Sequence, residues 1–213
     1  MFYKLRSSPV FMELKNSHTI LHELKCHLPF TLISSLMAGM LVAIFYLINK
    51  EYFFGIVSGL FEFMHPAHVL VSAMATSAIY WKYKKSVVKT ILIGIVGAIS
   101  IGSLSDIVFP WATGNLFSLQ TKFHLPIIEN PILIIGIALI GSVAGMYFLF
   151  RVSHSIHLFL SIFASLFYLL AFSIEMNTLA ILLVSLLVFL AVYIPCCISD
   201  IVFPLLFIKK SKK

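Results

Sequence analysis

Apolar residues form long uninterrupted runs along this chain, and polar residues collect where the runs begin and end. Because a helix needs about 20 apolar residues to cross a bilayer, the pattern predicts six transmembrane helices. They cover residues 28–48, 65–81, 87–109, 131–151, 155–173 and 178–207. The second run is short for a span unless residues 52–64 extend it.

The segment before the first run has a different pattern. Residues 10–27 place leucine and phenylalanine near one helical stripe and charged side chains elsewhere, which predicts an amphipathic helix on the inner membrane surface. His18, His22 and Cys26 follow one another at i, i+4 and i+8 of that helix, a spacing able to hold a soft or borderline metal ion. An ordinary interfacial helix with incidental histidines is the simpler interpretation.

Composition agrees with a membrane location. Hydrophobic residues make up 61% of the chain and charged residues 11%, and the mean hydropathy is +1.05, values that exclude a soluble globular domain. No secretory signal peptide is expected, because the leader is polar and basic and the first apolar run has no convincing cleavage site. The fold class predicted is an all-α polytopic membrane protein.

Basic residues decide the predicted orientation. They collect in the leader, in the loop at residues 82–85 and in the tail at residues 209–213, and all three regions fall on one side of six spans. Cytoplasmic loops hold the excess of Lys and Arg, so both termini are predicted to be cytoplasmic, in the inner or plasma membrane if the source is bacterial. The formal net charge of +7 is thereby interpreted as a topology signal rather than as a nucleic-acid-binding surface.

Three cysteines give no disulfide framework. Cys196 and Cys197 are adjacent, and Cys26 lies in the predicted cytoplasmic leader, where thiols stay reduced. All three are predicted to be free.

The chain contains an internal repeat. The hexapeptide SDIVFP occurs at Ser105–Pro110 and at Ser199–Pro204, the tripeptide HLP begins at His27 and at His124, and an H-x-x-H pair follows each HLP. The order is the same both times, which indicates duplication. The predicted organisation is a leader at 1–26, a first three-helix repeat at 27–110, an outer loop at 111–123, a second three-helix repeat at 124–207 and a basic tail at 208–213.

Three spans in each repeat force the second copy to enter the membrane from the opposite side. Inverted repeats are the recurring plan of secondary transporters, in which two halves enclose a site near the bilayer midplane. With both termini cytoplasmic, the first H-x-x-H and the first SDIVFP are expected toward the outer surface and the second pair of motifs toward the inner surface.

Ionisable residues inside apolar runs are costly and are therefore candidates for function. Each repeat supplies two imidazoles and one carboxylate, ligand types taken by iron, zinc, manganese, cobalt and nickel. The predicted metal- or substrate-binding residues are His65, His68, Asp106, His154, His157 and Asp200, with Glu62, Cys196, Cys197, His27 and His124 as further candidates. Glu62 is included because it shares a helical face with His65. Pro66, which follows His65 directly, is expected to break or bend the helix.

A structural interpretation of the same residues stays open. Ser-Asp pairs often cap helices, Pro110 and Pro204 could merely end helices, and histidines at helix ends can face lipid headgroups.

The hypothesis for function is an alternating-access transporter of a divalent transition-metal cation, with proton antiport conceivable because protonation of histidine releases metal. Its expected partners are the lipid bilayer and a small inorganic cation, with no nucleic acid, and a homo-oligomer is left open. One alternative is a membrane-embedded redox enzyme with haem or a di-iron centre. Another is a transporter of a non-metal solute or a membrane scaffold.

Overall fold

The computed structural model describes residues 32–33, 36–44, 47–48, 50–147, 150–174, 188, 192, 195 and 203–207. The helices, in order, are α1 (Lys50–Tyr83), α2 (Val87–Ser103), a π-helical turn (Leu104–Val108), α3 (Phe109–Leu116), α4 (Pro126–Glu129), α5 (Pro131–Ala144), α6 (Phe150–Phe172) and α7 (Phe203–Leu206). Residues 36–44 are also helical, and the described ranges contain no strand. The prediction of an all-α fold is confirmed.

Two helices are long and apolar enough to cross a membrane, judged by length and composition. They cover Gly55–Tyr83 with 29 residues and Val87–Leu116 with 30 residues. Two shorter apolar helices lie at Pro131–Ala144 and Ile156–Phe172, within the predicted fourth and fifth spans. The described residues therefore supply two helices of spanning length where the sequence predicts six, and most of the predicted first and sixth spans lie outside the described residues.

Helix α1 is longer than the apolar run that predicts it. Residues 52–64 join the predicted second span, so one helix continues from Lys50 to Tyr83 with Pro66 inside it. Proline has no N–H, so the carbonyl of Glu62 lacks the usual donor four residues later. The helix nevertheless runs through Pro66 without ending, and it stops only at the basic loop before Val87.

Helix α5 packs against α1 with almost no space between their backbones. A Cβ atom at Gly141 would collide with the carbonyl oxygen of Leu70, and one at Gly145 would collide with the carbonyl oxygen of Met74. On α2, a Cβ at Gly94 would collide with the hydroxyls of Ser77 and Ser142. Small residues here permit close helix packing, as they do between helices in membranes.

Helix α6 runs antiparallel to α1. Phe61 on α1 packs edge-on against Phe172 at the end of α6, with ring centroids 5.5 Å apart. Further along α1, His68 meets His157 near the start of α6, with ring centroids 4.5 Å apart. Residue numbers thus rise along α1 while they fall along α6, so the two helices that carry the H-x-x-H motifs point in opposite directions.

The segment between α3 and α4 is tied to the end of α6. The backbone N–H of Lys122 donates to the carbonyl of Phe172 at 2.8 Å, and that of Ile174 donates to the carbonyl of Leu119 at 3.1 Å. The Tyr168 hydroxyl donates to the carbonyl of Lys122 at 3.0 Å. These bonds hold the segment that carries His124, whose ring contacts Phe61 on α1 and Phe172 on α6.

Candidate functional site

A π-helical turn places Asp106 in the interior of the helix packing. The N–H of Phe109 donates to the carbonyl of Leu104, five residues earlier, and Pro110 has no N–H to offer the carbonyl of Asp106. Such π-turns occur frequently at functional sites. The helix continues through Pro110 to Leu116, so the interpretation that this proline ends a helix is wrong.

The carboxylate of Asp106 is surrounded by side-chain donors. Its Oδ2 atom lies 2.9 Å from His65 Nδ1 and 2.6 Å from His68 Nδ1. Its Oδ1 atom accepts hydrogen bonds from Ser105 Oγ at 3.0 Å and Ser161 Oγ at 2.9 Å. The three residues predicted for the first repeat therefore meet, and Asp106 binds side chains instead of capping a helix.

The two H-x-x-H motifs meet at a pair of imidazoles. His68 Nε2 lies 2.9 Å from His157 Nε2, and His157 belongs to the second H-x-x-H. The two predicted sets of ligands are therefore not separate at this point, because the antiparallel packing of α1 and α6 brings His68 and His157 together. The result is one connected array, His65–Asp106–His68–His157.

The array constrains its own protons. An ionised carboxylate only accepts hydrogen bonds, so both Nδ1 atoms that face Asp106 carry a proton. If His68 is neutral, its Nε2 has no proton and accepts a hydrogen bond from the protonated Nε2 of His157. If His68 is cationic, its Nε2 donates a hydrogen bond to the unprotonated Nε2 of His157. When His157 Nδ1 also carries a proton, these two arrangements differ by the transfer of one proton across the 2.9 Å contact, which joins the two H-x-x-H motifs.

The array is shielded from solvent. His65, His68 and Asp106 are 0% exposed and His157 is 1% exposed. A buried charge is tolerated only when it is paired and hydrogen-bonded, and the hydroxyls of Ser105 and Ser161 complete the shell of the carboxylate. Ser165 adds a hydrogen bond to the carbonyl of Ser105 at 3.1 Å.

Sequence reasoning missed Ser161 and Ser165. Both follow the second H-x-x-H at helical spacing, four and eight residues after His157, and the first H-x-x-H is followed by Ser72 and Thr76 at the same spacing. This shared hydroxyl pattern was the signal that could have identified them.

His65 has one ring nitrogen bonded and the other without a partner among the described residues. Its Nδ1 faces the carboxylate of Asp106, and its buried Nε2 has no hydrogen-bond partner among the described residues. Metal-binding histidines usually donate their other ring N–H to a carboxylate in this way. As the side chains stand, no group of three or more His, Cys, Asp or Glu within the described part of the chain forms a ready metal cage.

Glu62 does not join the array. It is half-exposed and its Oε1 lies 2.7 Å from His124 Nε2, while Glu129 Oε1 lies 2.8 Å from His124 Nδ1. The phenyl ring of Phe61 stands between this outer cluster and the interior, stacked on His65 at 5.6 Å and edge-on to His124 at 5.8 Å. The prediction that Glu62 and His124 extend the central site is therefore corrected: they form a separate cluster near the surface.

Several candidates fall outside the described residues. They are His18, His22, Cys26, His27, Cys196, Cys197 and Asp200. For His154 the structure describes only the helical backbone at the start of α6.

Comparison with models of known protein families, with curated proteins and with solved structures found no match. The function is therefore argued from the site itself.

Proposed function

We propose that this protein is an integral membrane transporter that exchanges a divalent transition-metal cation for protons. The observation that carries the proposal is the array of three imidazoles and one carboxylate, contributed by both repeats and buried in the helix packing. Ionisable groups at such positions are costly, and they mark ion pathways and proton relays in membrane proteins.

The proposed ligands are the Nε2 atoms of His65, His68 and His157. Asp106 then acts as the orienting carboxylate, since it already accepts the Nδ1 protons of two of these rings. Imidazole suits zinc, iron, cobalt and nickel, and manganese is added where carboxylates take part. The substrate class is thus a borderline divalent cation.

Coupling to protons follows from the contact between His68 and His157. In the cationic pair, with both Nδ1 atoms protonated, one further proton occupies the 2.9 Å space between the two Nε2 atoms, and a metal ion requires both of these nitrogens bare. Metal entry therefore expels that proton, and proton return expels the metal. The hydrogen-bonded array corresponds to the proton-loaded form, which explains why its nitrogens contact one another instead of surrounding a vacant position.

We propose further that the chain spans the membrane six times as two inverted repeats, with both termini in the cytoplasm. The antiparallel course of α1 and α6 supports the inversion. A lipid-facing stripe supports the membrane location: Val88, Leu92 and Val96 recur every four residues along α2 and are 68%, 57% and 52% exposed. In alternating access one repeat rocks against the other around a fixed site, and here the His68–His157 contact lies between the repeats.

The outer cluster of Glu62, His124 and Glu129 fits a cation entrance. Two carboxylates near the surface raise the local concentration of cations. Phe61 separates the entrance from His65 by one aromatic ring, so its displacement would connect the entrance to the central array.

Metal binding and transport by purified protein test the proposal. Elemental analysis and metal titration of the wild type are compared with a variant carrying His65→Gln, His68→Gln and His157→Gln. Transport is measured in proteoliposomes with an internal metal-sensitive dye and a pH-sensitive dye. The control is Thr113→Ala, because the Thr113 hydroxyl bonds only carbonyls of its own helix among the described residues.

The wild type and the control are expected to bind metal and to transport protons in the direction opposite to the metal. The triple variant is expected to do neither. Equal metal binding by the wild type and the triple variant would disprove the site. A Soret absorption band would favour the haem alternative, and absence of metal from every preparation would favour a solute transporter or a scaffold.

A further inference from the structure

Three buried hydroxyls on α1 and α5 have no hydrogen-bond partner among the residues that the structure describes. They belong to Ser72, Thr76 and Ser142, which are 1%, 0% and 0% exposed. A serine or threonine inside a helix can satisfy its hydroxyl with a carbonyl of its own preceding turn, as Thr90 does with Ser86 at 2.8 Å. The three hydroxyls do not form this bond, and a buried polar group without a partner is costly.

Contacts with the glycines of α2 show where these hydroxyls lie relative to the array. At the level of the array, a Cβ atom at Gly102 would lie 3.8 Å from the His68 ring. Five residues nearer the start of α2, a Cβ at Gly97 would lie 3.2 Å from Thr76 Cγ2. Ser72 falls between His68 and Thr76 at four-residue spacing, so the three side chains share one face of α1. The hydroxyls therefore lead away from the array and toward the basic loop that precedes α2.

The same line of contacts continues to a junction of three helices. A Cβ at Gly94 on α2 would collide with the hydroxyls of Ser77 on α1 and Ser142 on α5. The Ser77 hydroxyl donates to the carbonyl of Thr90 at 3.3 Å, which is long for a hydrogen bond of a hydroxyl. We call this set the hydroxyl seam, and its members are Ser72, Thr76, Ser77 and Ser142.

We propose that the hydroxyl seam is a second route to the array, through which the cation leaves toward the basic loop. The seam lies between α1, in the first predicted repeat, and α5, in the second. In alternating access one repeat moves against the other, so α5 separates from α1 and water enters between the hydroxyls. This inference rests on the proposed function and deepens it by naming the route of release.

The charges at the two ends of α1 support release on this side. On one side of the array, the partly exposed carboxylates of Glu62 and Glu129 contact His124. On the other side, beyond the seam, Lys84 and Lys85 are exposed. Carboxylates raise the local concentration of cations and ammonium groups lower it. A cation is therefore expected to enter at the carboxylates and to leave at the basic loop.

The unpaired hydroxyls favour opening of the seam. In the packed form each of them is removed from water without gaining a protein partner among the described residues, and in a hydrated seam each regains hydrogen bonds. The packed form is thereby destabilised relative to the open form. Replacing such a hydroxyl with a methyl group of similar shape is expected to stabilise the packed form and to make opening rarer.

Cysteine modification tests access to the seam. Thr76→Cys and Ser142→Cys, each in a background with the three native cysteines replaced by serine, are treated with a membrane-impermeant trimethylammonium methanethiosulfonate. Both are expected to react from the side of the membrane on which Lys84→Cys reacts. The control is Val57→Cys, because Val57 is also on α1 and only 1% exposed but lies before the array, outside the seam.

The expected result is that both seam cysteines react well above the rate of Val57→Cys. Failure of either seam cysteine to react, equal reaction of Val57→Cys, or reaction from the side of Lys122→Cys would overturn the inference. The reaction needs neither bound metal nor transport. A reactive seam in a protein that transports no metal would remove the proposed function and keep the water-accessible seam, whereas transport with an unreactive seam would remove only the route.

Two threonines test the contribution of the unpaired hydroxyls. Thr76 and Thr90 are both 0% exposed, and the hydroxyl of Thr90 is paired while that of Thr76 has no partner among the described residues. Thr76→Val is expected to raise the melting temperature by about 2–4 °C and to slow modification of Ser142→Cys about 5-fold. Thr90→Val is expected to do neither. Equal effects of the two variants on the melting temperature, or unchanged or faster modification in Thr76→Val, would contradict this contribution.

Discussion

Asp106 differs more than any other described residue from what an apolar helix ordinarily contains. Its two oxygens face His65, His68, Ser105 and Ser161, and none of these side chains is exposed. The charge is stabilised in a region from which water is excluded, and this requires every donor to be in place. Removing one member of the set leaves the others buried and unmatched.

The first prediction follows from that dependence. His68→Ala removes one donor from the carboxylate of Asp106 and the partner of His157, so it is expected to lower the free energy of unfolding by about 3–5 kcal/mol, the usual cost of breaking a buried ion pair. Adding Asp106→Ala to His68→Ala is expected to recover part of the loss, because the unmatched charge disappears. Melting temperatures in detergent measure both effects.

Recovery in the double variant distinguishes electrostatics from lost packing. If His68 contributed only volume, Asp106→Ala would enlarge the cavity and lower the melting temperature further. A double variant less stable than His68→Ala would therefore show that the carboxylate does not depend on its imidazoles.

For single residues, the sequence identifies ionisable side chains that are costly to bury, but it does not identify the uncharged side chains that form hydrogen bonds with them. His65, His68 and Asp106 stand out because imidazoles and a carboxylate recur inside apolar runs. Ser161 does not stand out, because serine is common where helices pack closely. Glu62 was misassigned because helical spacing places it near the face of His65, whereas its long side chain reaches outward to His124, which sequence spacing cannot locate.

Among the elements, α1 and α5 depend on glycine at their contact. The carbonyl oxygen of Leu70 occupies the space where a side chain at Gly141 would begin, while a Cβ at Gly136 on the same helix would meet nothing within 4 Å. Helix α5 thus carries one glycine that close packing requires, Gly141, and one glycine that no packing contact requires, Gly136.

This pair of glycines gives the second prediction. Gly141→Ala is expected to destabilise the protein by about 1–3 kcal/mol, the range for overpacking, because backbone atoms cannot move aside as a flexible side chain can. Gly136→Ala is expected to be neutral or to stabilise by up to about 1 kcal/mol through helix propensity. Thermal unfolding of the two variants beside the wild type measures the difference, and equal melting temperatures would contradict the tight contact.

Helix boundaries were less predictable than helix existence. Hydropathy alone begins the second run near residue 65, because Glu62 and the residues before it dilute the apolar window, yet α1 begins at Lys50. Conversely, Pro110 looked like a terminator, and the π-turn before it carries the helix onward to Leu116. Each continuation has a tertiary contact beside a proline, at His65 in α1 and at Asp106 in the π-turn, and no local pattern contains that contact.

For the whole molecule, the two H-x-x-H motifs supply the two sides of the site, with His68 from the first and His157 from the second. The hexapeptide SDIVFP occurs twice, which predicts that a unit was copied, and an odd number of predicted spans in each unit predicts inversion. The antiparallel course of α1 and α6 agrees with inversion. The sequence could not show that His68 and His157 would meet directly, because the level at which two helices cross depends on packing across the repeats.

The final prediction concerns which side of the membrane each loop occupies. The helix Val87–Leu116 has 30 residues and a length of about 45 Å, more than the roughly 30 Å hydrocarbon core. Lys84 lies just before it and Lys122 lies just after it, and both are exposed. Lys84→Cys and Lys122→Cys, each in a background with Cys26, Cys196 and Cys197 replaced by serine, therefore report opposite ends of one helix with matched substitutions.

A membrane-impermeant maleimide added to intact cells or right-side-out vesicles is expected to label Lys122→Cys at once and Lys84→Cys only after permeabilisation. The direction follows from charge, because Lys82, Lys84 and Lys85 cluster at one end and positive loops stay in the cytoplasm. Labelling of both from outside would mean that this helix does not cross the bilayer. Labelling of Lys84→Cys alone would mean that the repeats are inserted in the reverse orientation, which would place the Glu62–His124–Glu129 entrance on the cytoplasmic side and reverse the proposed direction of metal entry.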